Sequence, residues 1–355
     1  MKDHSKPRTA SIKDVAEMAA VAVSSVSRVL GNHPDVSPEM RVRVLQAVQA
    51  CGYQPNSVAQ SLRRGVSMSI GFVVGDISNP LMSAIASAAE SRLANNGYSV
   101  LLANSQGRPE RDALNIALLR QRHVDGLLLS LTDEKEAPLL KEFAAFAKPT
   151  VLLDRDGGAP GSSRVLFDHA QGFGQATRHL ADLGHRRIAL IAGPKGVRHT
   201  RERTRAVRAV CSELGLPAPF VKTGPIERRH GREATITALS EQHGATALIC
   251  ASNQLLPGVL TAIRELDLSI PDDLSLITTD DVALAEFHSP PLSTINRDAN
   301  AFGIQTADSV LRLIDGGDLD TVTLPTWFNP RQSCAPPKQE RRRSQHSSKR
   351  ESKGS

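Results

Sequence analysis

Aromatic residues are scarce in this chain: one tryptophan, two tyrosines and nine phenylalanines among 355 residues, 3% of the whole. Recognition by stacked rings is therefore poorly supplied, and the single indole, Trp327, lies near the C-terminus. Cysteine is sparse too. Cys51, Cys211, Cys250 and Cys334 lie far apart, with no Cys-x-x-Cys and no histidine nearby at metal-ligand spacing. That argues against a disulfide framework and a zinc site and suits a reducing compartment. No apolar run approaches the ~18 residues needed to span a bilayer. The opening Met-Lys-Asp-His-Ser-Lys-Pro-Arg leads into no apolar stretch of the export-signal kind. The expectation is a cytoplasmic protein with no membrane partner, no metal and no cofactor.

What is present is length and unevenly placed charge. The chain is long for one core, so two or three folding units are expected. The formal net charge is +6. Residues 1–66 hold nine Lys/Arg against five Asp/Glu, residues 336–355 hold seven against two, and the stretch between is mildly acidic. Basic ends around an acidic body suit contact with a polyanion at the ends. The segment 335–355, rich in Lys, Arg and Ser without heptads, is expected to be a disordered basic tail.

The first 66 residues carry the sharpest pattern. Ser11 followed by Asp14 is a capping-box start, and Ile12, Val15, Ala16 and Ala19 then recur at helical spacing. Ala20-Val21-Ala22 reads as a turn and Val23 to Leu30 as a second helix. Val26, Val29 and Leu30 are expected inside, with Ser24, Ser25 and Arg28 outside. Ser37-Pro38-Glu39 starts a third helix, and Cys51-Gly52 ends it. Beyond it, Asn56 can cap a short segment, about 56–64, with Val58, Ala59 and Leu62 on one side and Arg63 and Arg64 following. The seven residues 56–62 would be marginal as a helix alone in water, which suits a switch.

These residues resemble the DNA-binding domain of the LacI/GalR family of bacterial transcription regulators. The matches are Asp14-Val15-Ala16, Val21, Val26-Ser27-Arg28-Val29-Leu30, Val36-Ser37, Arg41 and Gly52-Tyr53 with Pro55-Asn56. The resemblance implies a helix-turn-helix whose second helix enters the major groove of double-stranded DNA. The implied DNA contacts are Ser11, Val23, Ser24, Ser25 and Arg28. Asn56, Ala59, Leu62 and Arg63 would follow from a hinge helix, with Leu62 as the minor-groove wedge. The chain departs from the family where a turn glycine is usual (Ala20) and where a capping serine is usual (Ala22). A left-handed Ala20 costs on the order of 1 kcal/mol, and an Ala22 cap about another.

From Ser69 onward, short apolar runs alternate with helical stretches. Strands are predicted at 70–74, 99–103, 126–129, 150–154, 187–191, 247–250 and 274–278. Helices are predicted at 81–95, 110–121, 172–183 and 203–214. Alternation of this kind implies parallel sheets with covered faces, and two consecutive series imply two Rossmann-like subdomains with a cleft between them. This half resembles the same family's core, itself related to periplasmic sugar-binding proteins, in segments such as Asp76 to Pro80, Leu152 to Arg155, Leu183 to Ala189 and Asp280-Asp281. The expected architecture is an N-terminal all-α helix-turn-helix head (10–66) plus an α/β periplasmic-binding-protein-like core (67–334). Within the core, an N-subdomain would hold about 68–167 and 297–330, and a C-subdomain about 168–296.

The resemblance implies an effector site of Asp76, Asn79, Arg203, Ile226, Ser252 and Asp280. A cation (Arg203) opposite a carboxylate (Asp280) suits a sugar, a sugar acid or a related metabolite. Aliphatic Ile226, Leu81 and Met82 stand where relatives often carry rings, which disfavours stacking on a sugar face. The reading is of a homodimeric regulator, most simply a repressor, on a pseudo-palindromic operator. An enzyme is the alternative, with Asp154, Asp280, His185, His230 and His288 as acid–base groups. No Gly-x-Ser-x-Gly, phosphate loop or metal spacing accompanies them. A transport binding protein is the third reading, opposed by the basic head.

Overall fold

The chain divides into two units, residues 1–67 and 68–355. The computed structural model describes residues 10–31, 33–53, 66–133, 137–157 and 161–338. The expected hinge segment, with Asn56, Ala59, Leu62 and Arg63, lies outside the described residues, as does the tail beyond Lys338.

The first unit holds α1 (Ile12–Met18), α2 (Val23–Leu30) and α3 (Pro38–Cys51). At α1, the Ser11 hydroxyl accepts from the Asp14 amide while the Asp14 carboxylate accepts from the Ser11 amide at 2.7 Å. This closes the capping box read from the sequence. Ser37 caps α3 through the Met40 amide, and Gly52 ends it at φ +62°. Val15, Ala19, Val26, Val29, Val44 and Ala47 make the core. Leu30, expected inside, is only half-buried. Ala20 takes φ +50°, and Ala22 caps α2 without a side-chain hydrogen bond. Both departures from the usual head therefore carry their local cost.

The second unit begins with β1 (Ser69–Val74), α4 (Pro80–Ala94), β2 (Ser99–Asn104), α5 (Pro109–Gln121), β3 (Gly126–Leu129), α6 (Ala137–Ala145), β4 (Thr150–Leu153) and β5 (Ser163–Asp168). A second series follows: α7 (His169–Asp182), β6 (Ile188–Ala192), α8 (Arg198–Glu213), β7 (Phe220–Thr223), α9 (Arg228–Leu239), β8 (Ala247–Cys250), α10 (Leu256–Glu265), β9 (Ser275–Thr279), α11 (Ala283–Glu286) and β10 (Ser293–Arg297). Helix α12 (Ala299–Ile314) then packs on α4, and β11 (Thr321–Asn329) follows.

The strand order is β2-β1-β3-β4-β5-β11-β10-β9-β8-β6-β7. Every neighbouring pair is parallel except β10 with β11. Strand β11 is shared. Thr321–Pro325 pair with β5 in the first lobe, and Thr326–Asn329 pair with β10 in the second. Pro325, which has no N–H to offer a ladder, stands at the changeover. The subdomain border drawn at 330 thus falls beyond the point where the chain re-enters the second lobe; Ser333 continues there, donating to the Leu276 carbonyl. The chain passes between lobes at Asp168–His169, at Arg297–Asp298 and within β11.

Each sheet is covered on both faces. In the first lobe one face packs Phe72, Ile85, Leu93, Phe167 and Phe302, and the other Ile116, Leu119, Leu127, Leu129 and Phe143. The second lobe does the same with Leu248, Leu256 and Leu276 on one side and Phe173, Leu190 and Ile249 on the other. Two glycines let α9 and α10 touch: a Cβ on Gly258 would lie 2.0 Å from the Arg228 carbonyl, and one on Gly231 2.4 Å from that of Leu255.

Candidate functional site

The two lobes leave between them a cavity of about 310 Å³. It opens at the carboxyl ends of strands from both sheets, where open α/β sheets place ligands. From the first lobe come Asp76 and Asn79 after β1, Ser130 after β3, and Asp154 and Arg155 after β4. From the second come His199 and Arg203 on α8, Ile226 after β7, Ser252 and Asn253 after β8, and Asp280 after β9. All six residues expected to meet an effector, Asp76, Asn79, Arg203, Ile226, Ser252 and Asp280, line this one cavity.

Polar side chains close its mouth. The Gln254 amide donates to Asp76 at 2.6 Å, and the Asn253 amide donates to Asn79 at 3.2 Å. Burial alone would raise Asp76, but hydrogen bonds from Ser78 and Gln254 outweigh it and hold the carboxyl below its usual value. Asn79 also accepts from the Leu81 amide, which caps α4.

Deeper in, two carboxylates organise the wall. Asp280 accepts from Arg297 through two parallel hydrogen bonds, 2.8 and 3.0 Å, and from Asn253 at 2.9 Å. Burial would lower Arg297, yet the Asp280 carboxylate raises it above its ordinary value. Asp154 bonds His169 Nε2 at 2.8 Å and Arg198 Nη1 at 2.6 Å. Burial would raise Asp154; His169 and Arg198 hold it well below the carboxylate range.

His169 itself is pushed down to about 4 by burial, against the pull of Asp154 and with the push of Arg203. It is therefore neutral near pH 7. Its Nδ1 accepts from Arg203 Nε at 3.3 Å, so its proton sits on Nε2, facing Asp154. His199 is likewise driven well below its ordinary value, by burial and then by Arg203 and Arg155.

Arg203 is only 4% exposed and donates to the Ala251 carbonyl at 2.5 Å. Its guanidinium lies 5.4 Å from the Phe173 ring centre. Burial, then Arg297, lowers it to about 9, which leaves it a cation at neutral pH.

Sequence reasoning did not assign His169, Arg198, Asn253 or Arg297 to this site. Asn253 adjoins an assigned residue, and Asp154 sits in a quoted motif; the others carry no local signal. Phe167 and Phe302, stacked at 4.2 Å, also line the cavity and were not foreseen. The remaining histidines of the acid–base alternative are dispersed. His185 is buried against Thr246 and Ser275, His230 donates to the Ala192 carbonyl, and His288 to that of Pro290. Among the described residues no His/Cys/Asp/Glu cluster could hold a metal, and no helix is long and apolar enough to cross a membrane.

In the first unit, Ser24 and Arg28 are exposed on α2, four residues apart and so on one face. Ser25 is half-buried, and Val23 packs partly against the core. The Ser11 hydroxyl is engaged in its cap. The Arg28 carbonyl accepts from the His33 amide at 3.0 Å, while its guanidinium makes no hydrogen bond among the described residues.

Comparison with known proteins places both units. Residues 11–56 match the model of bacterial regulatory proteins of the lacI family, and residues 177–334 match that of a periplasmic binding protein-like domain. An HTH-type transcriptional repressor PurR of Haemophilus influenzae (strain PittEE) is 31% identical over 87% of this chain and 92% of its own. The ribose operon repressor of Escherichia coli (strain K12) is 32% identical over 86% and 93%. A crystal structure of the Lac repressor dimer bound to operator and the anti-inducer ONPF superposes with a TM-score of 0.81 at 27% identity, covering 92% of this chain and all of that one. On this likeness of sequence and fold the chain belongs to the lacI family of bacterial regulatory proteins, a DNA-binding transcriptional regulator and not an enzyme.

Proposed function

We propose that the chain is a cytoplasmic, homodimeric repressor of a carbohydrate or sugar-acid catabolic operon, governed by a small molecule held between its two lobes. One observation carries the reading. A polar cavity built from both lobes belongs to the same chain as a helix-turn-helix unit, so a ligand can bias lobe closure and thereby the DNA-bound state. The ligand can shift that balance only by its differential affinity for the two arrangements. Arg203, Asp280, Asn253 and Arg297 would orient it, with Ser252 and Ile226 shaping the wall and Asp76 and Asn79 the mouth. The likeness to a ribose operon repressor supports a sugar-related ligand.

For the DNA-reading unit (10–66), exposed Ser24 and Arg28 are the proposed base contacts, with Val23, Ser25 and Ser11 beside them. Leu62 would wedge into the minor groove from a hinge helix that includes Asn56 and Ala59, with Arg63 placed to meet phosphates. Dimerisation is supported by an apolar strip: Leu101 and Leu102 on edge strand β2, with Leu114 and Leu118 on adjacent α5, are exposed. Edge strands with exposed leucines are normally covered, and a second copy is the proposed cover.

The test is selection of binding sites by the purified chain from genomic fragments, with and without candidate sugars. An enriched pseudo-palindrome whose binding changes with a ligand supports the reading, and no preferred sequence in either condition defeats it. Arg28→Ala should lose about ten- to hundredfold in operator binding while non-specific binding holds.

A further inference from the structure

Hydrogen-bonding capacity in the cavity is unevenly used. Its carboxylates are engaged: Asp280 by Arg297 and Asn253, Asp154 by Arg198 and His169, Asp76 by Ser78 and Gln254. The remaining one on the wall, Glu227, is exposed.

The guanidinium donors are not all engaged. Arg203 commits Nε to neutral His169 and Nη1 to the Ala251 carbonyl, leaving Nη2 with no protein partner among the described residues. Arg297 commits Nε and Nη2 to Asp280, leaving Nη1. These two arginines are mutual electrostatic neighbours, and no carboxylate hydrogen-bonds Arg203. His199 adds a third donor. Arg155 Nη1 lies 3.3 Å from its Nδ1, so the neutral ring carries its proton on Nε2.

Asp154 and Asp280 favour the Arg203 cation without hydrogen-bonding it, so its direct acceptors are all neutral, and an anion with several acceptor oxygens would engage the donor left over. We propose that the effector is an oxyanion: a small molecule whose carboxylate or phosphate seats against Arg203 Nη2 and Arg297 Nη1, with its hydroxyls toward Asn253 and Asp280. This deepens the proposed control by a ligand between the lobes and rests on it. The cavity is at the small end of the range for ligand sites, which limits the molecule to the size of a sugar acid or a short phosphorylated metabolite.

The test is calorimetric titration of the full-length chain with matched pairs of probes: D-gluconate against D-glucose, and glycerol phosphate against glycerol, with inorganic phosphate alone as a further arm. The expected result is at least about tenfold preference for one oxyanion over its neutral partner, weakening as salt is raised. The gluconate and phosphate arms tell carboxylate from phosphate. Arg203→Gln should erase the preference with about ten- to hundredfold loss, and Arg203→Lys should restore part of it. Should Arg203→Gln unfold, which circular dichroism would reveal, the paired comparison and its salt dependence on the unmodified chain decide. Neutral sugars binding as well as the anions, or no oxyanion binding at all, overturns the inference. Operator selection is measured separately without ligand. A chain that binds gluconate but selects no DNA sequence would sink the repressor reading and leave the oxyanion seat standing.

Discussion

Asp154 and Asp280 occupy matching places in the two lobes. Each follows a strand in the left-handed backbone region, at φ +53° and +64°, and each donates its amide to the neighbouring strand, at Val165 and Ile295. Non-glycine residues held this way cost about 1–3 kcal/mol each, and such strain tends to collect where ligands bind. The shared conformation brings both carboxylates to the cavity wall, but their partners differ. Asp154 is held by His169 and Arg198, both from the second lobe, whereas Asp280 is held by Arg297 at the border between lobes.

The Asp280–Arg297 pair makes the first prediction. Its side chains are about a tenth exposed. Removing one partner of a buried pair leaves a charge uncompensated, at a cost of about 3–5 kcal/mol. Arg297→Met should lower the urea midpoint of the second unit accordingly. Asp280→Asn added to it should recover part of the loss, since the double change removes both charges. A single and a double variant of equal stability would refute the coupling.

Gln254 and Asp76 make the second. Their 2.6 Å hydrogen bond joins the lobes across the cavity mouth, and Asn253–Asn79 runs beside it. Bonds already formed in the closed arrangement favour it and so raise affinity for any ligand that needs closure. Gln254→Ala should weaken ligand binding roughly two- to tenfold and enlarge the radius of gyration of the free protein in small-angle scattering. Tighter binding in the variant would mean that the clasp opposes the ligand instead.

His169 makes the third. Its pKa falls from 6.5 to about 4 on folding, so below 6.5 the unfolded chain binds a proton that the native site refuses. The stability that this neutral ring contributes is full above pH 6.5 and drains away as pH falls toward 4, by on the order of 3 kcal/mol in all. Asp154, depressed on folding, loses its own contribution as pH falls below its ordinary range, so the two slopes have the same sign. Urea midpoints measured from pH 7 to 4 should fall steadily. His169→Gln should flatten the part between 6.5 and 4; an unchanged slope would place the proton uptake elsewhere.

These groups also mark what was legible beforehand. Strands β1, β3, β4, β6, β8 and β9 could be read because strands covered on both faces become continuous apolar runs. Strands β5, β7, β10 and β11 could not. Phe220–Thr223 is only partly buried, Ser293–Arg297 ends in polar residues, and Thr321–Asn329 alternates polar with apolar around Pro325. Helix α8 starts at Arg198 rather than 203, because its polar first turn carries cavity contacts instead of an apolar stripe. The caps at Ser11 and Ser37 were legible since donor and acceptor lie three residues apart. The site was legible only where a motif surrounds it. Asp154 meets Arg198 across 44 residues and Asp280 meets Arg297 across 17, and no local pattern announces such pairs.

The last prediction concerns the head. Ala20 sits at φ +50° and Ala22 begins α2 without a capping oxygen, so the turn between the first two helices is under-stabilised at both ends. Glycine tolerates the left-handed region without a Cβ clash, and serine at the cap would accept one of the orphan amides of α2. Ala20→Gly should therefore stabilise the head by up to about 1 kcal/mol, the relieved strain exceeding the entropy that glycine adds to the unfolded chain. Ala22→Ser should add about 1 kcal/mol more. Neither change touches Ser24 or Arg28. Hydrogen exchange of the α2 amides would slow about fivefold for each substitution if the head opens as one unit, with exchange in β1 and β8 unaltered. Faster exchange in Ala20→Gly would mean that the entropy term outweighs the strain at this turn.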